Sequence, residues 1–276
     1  QPQQYNAQNE IVPTIIIPGI SQSISYLADE NGNPAVNSNG EELSGGLLII
    51  DSSTLPGTLA GTLAGPLVSS LLAQADIGLS EAVYDTVTQV FAIQASGKDG
   101  KAVQNLKTVT YEYPISEMNQ DDKDYFYRMI PMQSVVEEIG GEENLYFFTF
   151  PLISDPFISA AKLDSYIQMV KEQTGHDKVT VVFISLGGTI GNAYLAKYCN
   201  PADIDRVIYA AAATDGSYLL SDLMNAALSF DDRELFYSEM LPLILQLTDS
   251  GLDWLGYLLN FVTRAIPHSL FADPVD

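Results

Sequence analysis

Val181-Val182-Phe183-Ile184-Ser185-Leu186-Gly187-Gly188 reads as a buried strand, a serine, and a glycine pair that opens a helix. A run this apolar, without alternation, suits a strand covered on both faces, as in a parallel sheet. A serine at the strand-to-helix turn projects its hydroxyl above the sheet, and the following helix N-terminus supplies positive potential. Ser185 is therefore the candidate nucleophile, and the Leu186 amide the first candidate donor to an oxyanion.

Upstream of this stretch the pattern supports the same sheet. Leu145–Phe150 is an aromatic strand, Asp155 can cap a helix, and Pro156 suits that helix's first position. Leu163, Tyr166, Ile167 and Val170 recur at helical spacing, and Gly175 ends the helix. Strand, helix, strand in this order implies a right-handed crossover in a parallel sheet. Val207–Ala211 reads as one more buried strand, and Asp215-Gly216-Ser217 as a turn.

Nearer the start, Ile11–Ile17 is a β-branched run that stops at Pro18-Gly19. Gly19 lets backbone approach closely, which makes the Ile20 amide the second candidate oxyanion donor. Leu47–Ile50 and Val109–Tyr113 read as strands, 55–93 carries helical spacing, and Asn119–Asp124 reads as an acidic loop. The expected fold is α/β, a mostly parallel sheet with flanking helices and helical cap segments. A core over 1–216 carries a helical insertion at about 52–105, and 217–276 forms a helical lid. That last region holds the apolar segments Met240–Leu247 and Leu252–Val262, which offer a lipid interface.

Composition narrows the function. Lys and Arg number 12 against 35 Asp and Glu, a net charge of -23, so nucleic acid and anionic membrane surfaces are poor partners. Cys199 is the only cysteine, so no intrachain disulfide forms. The polar start at Gln1 reads as a processed chain, which favours a secreted or cell-surface location. Leu55–Ala75 is uncharged, but its glycines, prolines and hydroxyls suit a buried or cap helix better than a membrane span. Asp121, Asp122 and Asp124 lack the spacing of a calcium loop, and no cofactor or metal motif is present. Tyr125-Phe126-Tyr127 reads as core.

Ile16-Ile17-Pro18-Gly19-Ile20, Tyr146-Phe147-Phe148, Lys171–Val179 and Ser185-Leu186-Gly187-Gly188-Thr189 together resemble the bacterial lipase and lecithin-cholesterol-acyltransferase-like branch of the α/β-hydrolases. The resemblance covers roughly Ile11–Tyr209. It implies hydrolysis of ester or acyl-lipid substrates by a Ser-Asp-His triad without a cofactor.

The sequence departs from that family in two ways. Phe183 stands at the first glycine of the usual G-x-S-x-G, and Ile184 at the common histidine before the serine. The histidine base is the harder matter, since only His176 and His268 exist. His176 precedes the Val179 strand at the end opposite the serine and reads as a loop residue. His268 follows the nucleophile without clear strands to carry it. Asp215 is a candidate triad acid, but its place before Gly216 suits an Asp-Gly turn residue better. The family's order implies that further strands, the acid and the histidine lie beyond Asp276. Three readings stay open: a serine hydrolase, a hydrolase-fold binding module without a base, and an interaction domain that uses the apolar helices.

Overall fold

The structure, a computed structural model, describes residues 11–73 and 75–216. In chain order its strands are β1 (Thr14–Ile17), β2 (Ser25–Leu27), β3 (Ser44–Gly45), β4 (Leu106–Thr108), β5 (Leu145–Phe147), β6 (Val179–Ile184) and β7 (Ile204–Ala210). The α-helices are α1 (Leu55–Ala73), α2 (Leu79–Val90), α3 (Gln120–Met129), α4 (Pro156–Thr174) and α5 (Gly187–Lys197). The chain divides into two compact units, one of Gln1–Ser23 with Val109–Thr214, the other of Ile24–Thr108 with Asp215–Asp276.

The first unit is an α/β layer built on a wholly parallel sheet in the order β5-β1-β6-β7. Strand periodicity of two divides its side chains between two cores. Ile15, Ile17, Val179, Val181 and Phe183 face Ala160, Leu163, Ile167 and Val170 of α4 and Ile190, Ala193 and Tyr194 of α5. Ile16, Leu145 and Phe147 face the other way, onto Tyr111, Ile115, Met118, Phe126 and Ile130. Both faces are covered, which is why the central strands are apolar at nearly every position.

Helix α4 begins where the sequence predicts. Asp155 accepts a hydrogen bond from the Phe157 N–H at 2.8 Å, Pro156 occupies the first turn, and Gly175 closes the helix at φ 71°. Its buried residues 163, 167 and 170 form the stripe that lies on the sheet.

Strand order sets where the connections diverge. From β1 the chain returns to the sheet at β5, on one side of β1; from β6 it continues to β7, on the opposite side. Connections leaving β1 and β6 therefore diverge, and the space beyond their carboxyl ends is a topological switch point, where open α/β sheets bind ligands. Pro18 follows β1 at that end, and Ser185 follows β6.

Four sequence expectations are corrected. Leu47–Ile50 is not a strand: the chain doubles back so tightly at Gly45 that a Cβ there would stand 2.1 Å from the Leu48 carbonyl oxygen. Val109–Tyr113 is not a strand either, because its carbonyls accept side-chain donors instead of a ladder partner. Thr149 Oγ1 donates to Val109, Tyr166 Oη to Tyr111, and Gln173 Nε2 to Glu112. The expected acidic loop at 119–124 is the start of α3, where Asn119 caps the helix by accepting from the Asp122 N–H at 2.9 Å. Acidic side chains in this first turn suit the helix dipole. The strand expected at Val207–Ala211 begins at Ile204 and is not buried; Val207, Ile208 and Tyr209 are all exposed on this strand, the last of the sheet among the described residues.

In the second unit β2 pairs antiparallel with β3 and β4, and α1 packs on α2, where Thr62 Oγ1 and Thr86 Oγ1 meet at 2.5 Å. The helical insertion expected at about 52–105 falls inside this unit, which begins earlier, at Ile24. Helix α1 is not buried; its Gly57, Gly61 and Gly65 border open space. Among the described residues no helix is long and apolar enough to cross a membrane.

Candidate active site

Ser185 sits on a strained turn. Its φ is 48°, in the left-handed region that a residue with a Cβ rarely enters, and it joins β6 directly to α5. The turn is held on both sides of the residue. Ser185 N–H donates to the Ala210 carbonyl at 3.1 Å, and its own carbonyl accepts from Gly188 N–H at 3.0 Å and Ala213 N–H at 2.9 Å. The surroundings thus over-determine a conformation that costs of order 1–3 kcal/mol by itself. The side chain is half-buried.

Three glycines make this packing feasible. A Cβ on Gly187 would stand 2.5 Å from the Ile17 carbonyl oxygen and 2.6 Å from that of Pro18, so the first turn of α5 crosses directly over the end of β1. A Cβ on Gly19 would stand 2.9 Å from Ser185 Cβ and 3.4 Å from its Oγ. The early Pro-Gly bend therefore touches the serine. On Gly191, one turn further along α5, a Cβ would meet the Phe183 ring at 2.7 Å. This explains the departure at Phe183: the small residue that strand and helix need for close approach is on the helix rather than the strand.

Neither Ile20 N–H nor Leu186 N–H has an acceptor among the described residues. No side chain caps α5; within its first turn Gly188 N–H donates to the Ser185 carbonyl and Thr189 N–H to the Leu186 carbonyl, both at 3.0 Å. Gly19 N–H is taken up by Gln22 Oε1 at 2.5 Å.

The other site expectations fare differently. His176 lies between α4 and β6, at the entry of a strand whose six residues span about 20 Å, and Ser185 is at the exit. Asp215 is exposed in a turn and groups with the second unit. His268 and the segments Met240–Leu247 and Leu252–Val262 lie outside the described residues. Asp121, Asp122 and Asp124 belong to α3, and among the described residues no group of His, Cys, Asp or Glu is arranged to hold a metal ion. Phe126 is core, as expected, packing edge-on against Phe147 with ring centroids 5.0 Å apart.

Sequence reasoning missed Gln22, Gly191 and the loop that follows β7. Gly191 had a signal, a second glycine one helical turn after Gly187, opposite the bulky Phe183. Gln22 had none, because its partners are remote in sequence. Comparison with protein-family models, curated proteins and solved structures finds no match for this chain.

Proposed function

We propose that the chain is a serine hydrolase of the α/β-hydrolase type, acting on ester or acyl-lipid substrates. The observation that carries this reading is Ser185 at φ 48° between β6 and α5, in contact with the Gly19 bend at the switch point. A strained non-glycine residue held in place from several directions, next to two amides that have no acceptor among the described residues, suits a nucleophile better than a packing residue. Ser185 Oγ would attack the carbonyl carbon, and the Ile20 and Leu186 amides would take up the negative oxygen, each donor contributing about 3 kcal/mol. The resemblance calls for an acid and a histidine base, and Asp215 and His268 are the candidates for those roles that follow Ser185 in this sequence. The same resemblance suggests a lipase or esterase.

One observation favours a second reading. His176 is the only histidine among the described residues and stands at the wrong end of β6, so a scaffold without a base would serve as a binding module. A fluorophosphonate distinguishes the two. Under the hydrolase reading the full chain gains one phosphonyl group on Ser185, located by peptide mass spectrometry and absent in Ser185→Ala; an unlabelled full chain would end the enzymatic reading.

A further inference from the structure

The bend after β1 is fastened at more points than a loop requires. Ser21 takes φ 64°, a left-handed conformation for a non-glycine residue, and its carbonyl accepts from the Tyr125 hydroxyl at 2.6 Å. Gln22 Oε1 accepts from Gly19 N–H at 2.5 Å, and Gln22 Nε2 donates to the Met129 carbonyl at 2.9 Å. Met129 is the last residue of α3, where carbonyls have no partner within the helix. The two ends of one side-chain amide thus meet opposite needs, an N–H that needs an acceptor and a C=O that needs a donor. This fixes the amide's orientation and ties the bend to α3.

Gln22 is also close to the chemistry. Its Oε1 and Ser185 Oγ stand 3.2 Å and 3.4 Å from the position that a Cβ on Gly19 would occupy. With the Gly19 amide already engaged, the bend's next N–H, that of Ile20, has no acceptor among the described residues and can serve a ligand.

We propose that Gln22 is the positioning residue of the oxyanion site, holding the Gly19 peptide against the end of α3 so that the Ile20 N–H stays aimed at the space beside Ser185. The inference rests on the serine-hydrolase reading. Preorganised donors accelerate acyl transfer because they need no reorganisation as charge develops, so loosening the bend lowers kcat more than it raises KM.

The test uses the full chain, with p-nitrophenyl butyrate as substrate and a fluorophosphonate as label. Gln22→Ala should lose about tenfold or more in kcat with KM little changed, and be labelled more slowly by a similar factor. Gln22→Glu separates positioning from folding. Its protonated carboxyl can make both hydrogen bonds, whereas its carboxylate loses the donor to Met129 and places negative charge beside the oxyanion. Its rate relative to wild type should therefore rise as pH falls through the carboxyl's titration. A merely structural role would move thermal stability in both variants and leave that ratio flat. Wild-type rates in Gln22→Ala, or a flat ratio in Gln22→Glu, would overturn the proposal while the hydrolase reading stands. A wild-type chain left unlabelled at Ser185 would overturn both.

Discussion

Phe183 lies with its ring on the backbone of Gly191, so that the strand carrying the serine and the helix following it meet at a glycine on the helix side. The ring is fully buried and also packs against Tyr209, with centroids 5.3 Å apart. Elsewhere in a helix, Gly→Ala gains about 1 kcal/mol from propensity. Here the added methyl would stand 2.7–2.9 Å from three ring atoms of a buried side chain, an overpacking cost of about 1–3 kcal/mol. Gly191→Ala should therefore be destabilising overall, by about 1 kcal/mol. Phe183→Leu should lessen that penalty, and a double-mutant cycle by urea denaturation should show coupling between the two sites. Strictly additive effects would mean that the contact is not what sets the spacing.

Backbone strain at Ser185 gives a second expectation. Ser185→Ala and Ser185→Gly both remove the hydroxyl, but alanine keeps a Cβ in the left-handed region and glycine does not. Ser185→Gly should be the more stable of the pair by about 0.5–1 kcal/mol, despite the greater freedom of glycine in the unfolded chain. Thermal denaturation of the two variants side by side measures it. An alanine variant equal to or more stable than the glycine variant would show that the turn is relaxed.

Where the code is local, the sequence was readable. Strand β6 was legible to the residue because a six-residue run, apolar at all but Thr180, ends at a serine and a glycine pair. Helix α4 was legible at both ends because Asp155, Pro156 and Gly175 each act on their own neighbours. Legibility failed where satisfaction comes from remote partners. Val109–Tyr113 has strand composition but gives its carbonyls to Thr149, Tyr166 and Gln173, and no window around residue 110 contains that information. At the site, Ser185 and the Pro-Gly bend were expected to serve one oxyanion; that Gly19 touches the serine follows from β1 pairing with β6, a register that only the fold supplies.

Acid stability should depend on Asp203. This residue precedes β7, is 8% exposed, and receives Lys171 Nζ on Oδ1 and Gln168 Nε2 on Oδ2, the latter at 2.9 Å. The hydrogen bond from Lys171 leads in holding its carboxyl below the usual carboxylate range, against the opposing effect of burial. A folded-state pKa below the unfolded one means stability that is present above the unfolded value, about 3.9, and lost as pH falls through the folded one. Asp203→Asn should cost about 1–3 kcal/mol at neutral pH, since it leaves Lys171 with an uncompensated charge. It should also flatten the fall in Tm on acidification below about pH 4. Parallel Tm-versus-pH curves for wild type and variant would remove Asp203 from the account.

The contact between Gly19 and Ser185 gives the most direct test of the site's geometry. A methyl on Gly19 would stand 2.9 Å from Ser185 Cβ and 3.2 Å from Gln22 Oε1, so either the bend retreats or the serine rotates. Retreat strains the Gly19–Gln22 hydrogen bond and carries the Ile20 amide with it; rotation moves the hydroxyl. Both displace reacting groups by a few tenths of an ångström, and near-attack geometry is sensitive on that scale. Gly19 is buried, but Ile20 next to it is exposed, so the bend can give on its outer side at a cost to the fold of about 1 kcal/mol. Gly19→Ala should accordingly slow fluorophosphonate labelling of Ser185 by about tenfold or more while Tm stays within a few degrees of wild type. Labelling at the wild-type rate would show that the bend and the serine do not share one site, whatever their separation in the folded chain.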